Sequence, residues 1–246
     1  MKTHISPKLE RLANKVSKIP FMKTILKPIY YKYKKQIEYN RFSSLHLRGV
    51  RVLHEFDNVM VANHINYTVY AGTLLGAIRE KGLLKHDLDI DTAIWNKDFG
   101  PHIEQSLSEA GFSLIRRFEI DRGKLGREDT YSKDGVDIDI FYIYCDENGT
   151  YNTDYHNVDG AANFYDSMIK FGHVNARRCN LPVSYETNRV PFENIMVSAM
   201  CNAEDWLIAR YGKNYMIPDP DFKDSGRAQH IYYWECDKAT YSDFRK

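Results

Sequence analysis

The amino-acid sequence predicts an α+β fold, a mixed sheet flanked by helices, with a basic helical segment at its N-terminus. Three observations carry that prediction. Helical and strand periodicities both recur, but without the regular strand–helix–strand alternation of a parallel α/β sheet. The run Gly135-Val136-Asp137-Ile138-Asp139-Ile140-Phe141-Tyr142-Ile143-Tyr144 is the strongest strand signal in the chain. Charge is also unevenly divided. Residues 1–35 hold ten Lys and Arg against one acid, Glu10, whereas the remainder is acidic, leaving a net charge of +1.

Ile5, Leu9, Leu12, Val16 and Ile19 recur at steps of four and three, one face of a helix that Ser6 can cap and Pro7 can begin. Pro20 breaks that pattern, and Phe21, Met22, Ile25 and Leu26 start a second apolar stretch. Pro28 and Ile29-Tyr30-Tyr31-Lys32-Tyr33-Lys34-Lys35 follow. Residues 1–40 therefore read as a basic amphipathic helical segment and 41–246 as the body. Two placements of residues 1–35 suit this composition: along an anionic membrane surface, or packed on the body or a partner. Nucleic acid is not an expected partner, because no reader motif accompanies the charge.

In the body, Leu53, Phe56, Val59, Met60 and Asn63 suggest a long helix ending before Tyr67. Tyr67-Thr68-Val69-Tyr70 has strand propensity, and Gly72-Thr73 opens a short helix over 74–80. Residues 89–95 alternate as a strand, 100–110 look helical up to Gly111, and 112–118 form another strand. Asn148-Gly149 marks a turn after the strong strand. Asn202 is a candidate cap for a helix from Ala203, with Glu204 and Asp205 in its first turn, Arg210 in its last and Gly212 just beyond.

Composition closes off several classes. Hydrophobic residues at 43% and charged residues at 27% exclude wholesale disorder, and no apolar run reaches the length of a membrane span. The N-terminus lacks the apolar core and small residues of a secretory signal, so a cytoplasmic location is expected, with the basic segment able to hold the protein at the inner face of a membrane. Cys145, Cys179, Cys201 and Cys236 are scattered without CxxC spacing and read as reduced thiols. A zinc site from His173 and Cys179 has no supporting spacing. Tyr232, Tyr233 and Trp234 could stack on a sugar or fill a core.

The chemistry concentrates in carboxylates. Asp87, Asp89 and Asp91 sit at steps of two, which on a strand share one face. So many like charges need a cation among them, and hard oxygen ligands suit Mg²⁺ or Mn²⁺. An EF-hand is excluded, because Thr92 and Asp98 stand where Gly and Glu are required. Asp137 and Asp139 form a second D-x-D inside an otherwise apolar strand, with Val136, Ile138, Ile140 and Tyr142 on the opposite face. Asp is costly to bury there, so a metal role competes with pairing to Arg116 or Arg127. Gly72-Thr73 at a helix start offers backbone N–H groups and a hydroxyl to a phosphate.

The string Ala71-Gly72-Thr73-Leu74-Leu75-Gly76-Ala77-Ile78-Arg79-Glu80-Lys81-Gly82, followed by Asp87-Leu88-Asp89-Ile90-Asp91, resembles the LicD family, including its fukutin-like members. The resemblance extends to Asp137-Ile138-Asp139-Ile140-Phe141-Tyr142, to Val190-Pro191-Phe192, and to Leu207 with Tyr211-Gly212-Lys213-Asn214-Tyr215 and Pro218. It covers roughly residues 50–220. His86 and Leu88 depart from the aromatic and the further acid that many members carry there, which bears on the substrate. The resemblance implies a nucleotidyltransferase-like core over 41–246. It also implies metal-dependent transfer of phosphocholine or a polyol phosphate, such as ribitol or glycerol phosphate, from a CDP-linked donor to a glycan hydroxyl. CMP would leave, and the product would belong to surface polysaccharide synthesis; the basic segment, able to bring the protein to a membrane, also admits a lipid-linked acceptor. On this reading Asp89, Asp91 and Asp139 hold the metal, and Asp137 or Asp139 takes the hydroxyl proton. Gly72 and Thr73 hold a donor phosphate, Arg79 faces the leaving CMP or merely pairs on the helix surface, and Asp87 orients the site from behind. NTP-dependent nucleotidyl transfer and a non-catalytic scaffold in a glycan-assembly complex are the alternatives.

Overall fold

The computed structural model describes the backbone of residues 20–219, 231–234 and 239–245, and the side chains of all of these except 20–27 and 231–234. The helix expected over residues 5–19 lies outside the described residues. Among the described residues are five helices and eleven strands, an α+β arrangement with a mixed sheet.

Helix α1 (Pro20–Ala62) runs unbroken through residue 40, with Pro28 inside it. Pro20 begins it, at a position where the missing N–H is harmless. From residue 45 onward Leu45, Val52, Leu53, Phe56 and Met60 form one fully buried stripe. His64 takes a left-handed φ of 55° just beyond the helix, and the Ile65 N–H bonds back to the Met60 carbonyl at 2.9 Å.

Strand β1 (Tyr67–Val69) leads directly into helix α2 (Ala71–Arg79). Ala71 makes the sharp strand-to-helix corner with a φ of 41°, a conformation that costs an L side chain about 1 kcal/mol or more. After α2 the chain folds back on it: the Gly82 N–H donates to the Gly76 carbonyl at 3.3 Å. A side chain at Gly76 would collide with the Gly82 carbonyl oxygen. Gly76→Ala is thus expected to cost roughly 1–3 kcal/mol through overpacking, read as a lower urea midpoint. The same change should displace the loop that carries Asp87 and Asp89.

Strand β2 (Ile90–Trp95) is antiparallel to β1 and parallel to β5 (Val136–Asp146). Helix α3 (Pro101–Glu109) ends before Gly111, whose φ of 85° suits a glycine stop. Strands β3 (Ser113–Ile120), β4 (Gly126–Lys133), β6 (Gly149–His156), β7 (Asn175–Asn180), β10 (Ile231–Trp234) and β11 (Ala239–Asp243) complete the large sheet. Its order is β10-β7-β6-β5-β4-β3-β11, with β2 and β1 attached through β5. The β5–β6 hairpin turns at Asn148-Gly149 as expected. Strands β8 (Thr187–Phe192) and β9 (Ile195–Met200) form a separate hairpin tied to β1 by the Met200 N–H, which donates to Thr68 Oγ1 at 2.9 Å.

Alternate residues of β2 and β5, namely Ile90, Thr92 and Ile94 with Ile138, Ile140 and Tyr142, turn to one face. Their apolar members join the main core with the α1 stripe and with Ile103 and Leu107 of α3. A smaller core of Phe118, Tyr155, Val174 and Tyr241 packs with Phe164 of α4 (Phe164–Phe171). Helix α5 (Ala203–Tyr211) ends at Gly212 as expected. Asn202 precedes it but makes no side-chain cap. Its Oδ1 accepts the Ser184 N–H at 2.9 Å and its Nδ2 donates to the Pro182 carbonyl at 3.1 Å, tying down the loop before β8 instead. No helix among the described residues is long and apolar enough to cross a membrane.

Candidate active site

The face of β2 and β5 opposite the main core carries the carboxylates. The two strands are parallel and in register at Asp91 and Asp139, so these residues sit side by side on adjacent strands. Only Asp91 of the first acidic triplet is on a strand. Asp87 and Asp89 lie in the loop between α2 and β2, so strand alternation does not orient them. The fold brings them to the same place by turning that loop back over the start of α2. A side chain at Gly72 would meet Asp87 Oδ1 at 3.4 Å and Asp91 Oδ2 at 3.5 Å, so both carboxylates flank the bare Cα of this glycine.

The groups that the sequence assigned to a donor phosphate are engaged with Asp91. The Gly72 N–H donates to Asp91 Oδ2 at 3.2 Å, and Thr73 Oγ1 accepts the Asp91 N–H at 2.8 Å. The first turn of α2 therefore fixes both the backbone and the carboxylate of Asp91, and a negative charge at a helix N-terminus is favoured there.

Two arginines complete the cluster. Arg41 Nη2 of α1 lies 3.0 Å from Asp89 Oδ2 and 3.6 Å from Asp137 Oδ2, bridging the loop to β5. Arg116 of β3 pairs with Asp139, Nη2 to Oδ1 at 3.3 Å. Thr130 of β4 donates to the same Oδ1 at 2.5 Å and accepts from Arg116 Nε at 3.1 Å. Pairing of Asp139 with Arg116, weighed above against a metal role, is thus present. Arg127 pairs elsewhere, with Glu119, and stacks on Phe99. Arg41 escaped the sequence reading, since nothing local marks one arginine on a basic helix as the partner of acids many residues away.

Electrostatics follow from this crowding. Burial pushes the Asp137 carboxyl above its ordinary range. Burial alone would weaken the Arg116 cation, but Asp139 and Glu128 outweigh it and hold the guanidinium more firmly protonated. Burial, and then the neighbouring charge of Asp89, push Asp87 up to about 7. The folded chain therefore holds the Asp87 proton more tightly than the unfolded chain. Its contribution favours folding below the ordinary carboxylate value of about 4 and is lost as pH rises towards 7. Asp87→Asn is expected to raise the melting temperature of the metal-free protein at neutral pH and to flatten its decline across that window. A pH series of melting curves checks this, and equal slopes for the two proteins would contradict it.

The donor set is all carboxylate oxygen, the chemistry that Mg²⁺ or Mn²⁺ requires, and the raised Asp87 and Asp137 are what an added cation would relieve. Among the described residues no three such side chains already converge as a ligand set, and Arg41 stands between Asp89 and Asp137. The residues fit a divalent cation in kind, with Arg41 held between two of them.

Arg79, at the far end of α2, pairs with Glu80 at 2.9 Å and donates to the Tyr215 carbonyl at 3.1 Å, so the surface pairing weighed for it is present. Its charge still reaches Asp87, which it stabilises in the ionised form. Beside the carboxylates lies an aromatic wall: Tyr70 packs on Phe141 and Trp206, and Trp206 Nε1 donates to Tyr70 Oη at 3.2 Å. Among the described residues His173 and Cys179 join no group of three possible metal ligands. Cys179 is buried, donates to Asp154 at 3.3 Å, and burial holds its thiol well above the ordinary value. Tyr232, Tyr233 and Trp234 lie in β10 against β7, and their side chains, offered by the sequence to a sugar or to a core, lie outside the described residues.

Comparison with known proteins places this geometry. The model of the LicD/FKTN/FKRP nucleotidyltransferase domain matches residues 64–202, from the end of α1 to the start of α5. The mouse protein named ribitol-5-phosphate transferase FKTN is 26% identical over 159 residues, covering 63% of this chain and 30% of that protein. An uncharacterized protein of Caenorhabditis elegans is 35% identical over 103 residues, covering 38% of this chain and 26% of the relative. The chain thus spans less than a third of the length of these curated relatives. With more than half of its residues matched and the acidic cluster inside the matched region, the chain belongs to the LicD/FKTN/FKRP nucleotidyltransferase-domain family.

Proposed function

We propose that this protein transfers a phospho-alcohol from a CDP-linked donor to a glycan hydroxyl, releasing CMP. A polyol phosphate such as ribitol phosphate is the cargo that the FKTN relative's name supports. The observation that carries the reading is the side-by-side placement of Asp91 and Asp139, with Asp89 and Asp137 joined through Arg41 at the start of α2.

Asp89, Asp91 and Asp139 would hold Mg²⁺ or Mn²⁺, which when bound supplies charge neutralisation for the donor pyrophosphate. The remaining work falls to the chain. Gly72 and Thr73 act by holding Asp91 in place, and Arg116 with Thr130 fixes Asp139. Asp137, made more basic by burial, accepts the proton of the attacking hydroxyl. The acceptor oxygen forms a bond to the phosphorus that bears the alcohol. The bond from that phosphorus to CMP breaks, and CMP leaves with the electron pair. Asp87 sets the approach of Asp89, and Arg79 supplies positive charge behind Asp87. No covalent enzyme intermediate is needed for such an in-line displacement.

A thermal-shift panel with Mg²⁺ and CDP-ribitol, CDP-glycerol, CDP-choline, CTP or ATP tests this. A ligand of the folded state present at about 100 times its dissociation constant should stabilise by roughly 2.7 kcal/mol. A magnesium-dependent shift with one CDP-alcohol is expected. A shift with nucleoside triphosphates alone would favour nucleotidyl transfer, and no shift with any of them would favour a scaffold.

A further inference from the structure

Helix α1 leaves the body partway along its length: none of residues 28–40 is fully buried. Its body-facing stripe, Leu45, Val52, Leu53, Phe56 and Met60, is wholly buried. Further towards the N-terminus the apolar residues Ile29, Tyr33 and Ile37 recur at steps of four, the spacing of one helical face. At 3.6 residues per turn that face lies roughly 140° round the helix from the buried stripe. Ile29 is 60% exposed and Tyr33 46% exposed, whereas Ile37, nearer the body, is half-buried. Lys32 and Lys34 flank this second stripe, while Tyr31, Lys35 and Tyr39 are exposed on the other side of the helix.

We propose that the N-terminal half of α1 docks on an anionic lipid bilayer, with Ile29 and Tyr33 at the headgroup–acyl boundary and the lysines over the headgroups. Charge decides in favour of lipid. Residues 1–35 carry ten Lys and Arg against one acid, and the rest of the chain is net acidic, so an anionic surface attracts this end and repels the body. Tyrosine, with an apolar ring and a polar tip, suits the same interface. The placement also has a consequence for the site. Arg41, which touches Asp89 and Asp137, is two turns beyond Tyr33 on the same helix, about 12 Å along the axis. A docked helix would therefore hold the carboxylate cluster close to the membrane surface, within reach of an acceptor borne on lipid.

Co-sedimentation of the full chain with vesicles tests the docking without donor or acceptor, so it succeeds or fails independently of the proposed transferase activity. Binding is expected to vesicles of phosphatidylcholine with phosphatidylglycerol, to be released by salt, and to be absent with phosphatidylcholine alone. Ile29→Glu with Tyr33→Glu should lower the partition coefficient at least about tenfold at an unchanged melting temperature. Charge reversal of Lys32, Lys34 and Lys35 should weaken it by about fivefold or more per lysine. Three results would overturn the proposal. One is wild-type protein that stays in the supernatant or sediments equally with both vesicles. Another is a glutamate variant that binds like wild type but melts lower, which would mean the chain itself covers the stripe. The third is a dimer in the ultracentrifuge that the glutamate variant dissolves, which would assign the stripe to a second copy.

Discussion

Asp91→Asn is expected to reduce kcat by about a thousandfold or more while leaving the melting temperature within a few degrees of wild type. The asparagine keeps the shape of the side chain and an oxygen able to accept the Gly72 N–H. The Asp91 backbone N–H still donates to Thr73 Oγ1, and the register with Asp139 is a backbone property. What disappears is one negative charge where β2 meets β5 and the turn into α2. If the cluster works by gathering a cation and the donor's phosphates, that charge is indispensable. Asp89→Asn is expected to lose activity comparably, since it removes a second negative charge from the same cluster. Steady-state rates beside melting curves for both variants separate a chemical loss from a folding loss.

Arg116→Met is expected to destabilise the protein by about 3–5 kcal/mol, the usual cost of removing one partner from a buried ion pair. Arg116 and Asp139 are both almost fully buried, and Glu128 lies close enough to add to the field that Arg116 neutralises. Without the guanidinium, Asp139 keeps the Thr130 hydroxyl but loses the buried cation that offsets its charge, so staying ionised costs more and taking up a proton costs less. The loss should therefore shrink at mildly acidic pH. Adding Asp139→Asn to the variant should recover much of the stability, because the buried charge is then gone on both sides. Urea unfolding of the two variants at neutral and mildly acidic pH checks both points. A loss that is insensitive to pH and to the second substitution would assign Arg116 a packing role only.

How much of this was legible in the sequence depends on how local the physics is. The strand over Val136–Asp146 was readable because its apolar face alternates without interruption, and that alternation also correctly put Asp137 and Asp139 together on the opposite face. The turn at Asn148-Gly149 and the stop at Gly212 rest on backbone geometry that a glycine reports directly. Strand β4 was invisible. Its residues Arg127, Glu128 and Asp129 are buried in the middle of the sheet, where charged residues are rarely expected. They are tolerated because partners on β3 meet them: Asp129 bonds Arg117 at 2.7 Å and Arg127 meets Glu119 at 2.5 Å. No pattern within β4 announces partners on another strand.

The site divides along the same line. Asp89, Asp91, Asp137 and Asp139 stood out as repeated carboxylates, but the sequence could not say that Asp87 and Asp89 sit on a loop, nor that Gly72 and Thr73 turn towards Asp91. Arg41 enters from a helix that the sequence divides at residue 40 and that the fold carries straight through. Asn202 shows the converse case, a residue with the chemistry of a cap whose amide is used by residues 182–184. Long-range contacts decided each of these, and a single sequence carries no record of them.

The most direct measurement follows the products when the purified protein is given Mg²⁺, a glycan acceptor and either a CDP-alcohol or CTP, with wild type and Asp91→Asn compared side by side. The account predicts CMP and a new phosphodiester on the glycan in equal amounts with wild type, and neither with Asp91→Asn. Pyrophosphate released from CTP with a nucleotide left on the acceptor, or CMP formed at the wild-type rate by Asp91→Asn, would contradict it.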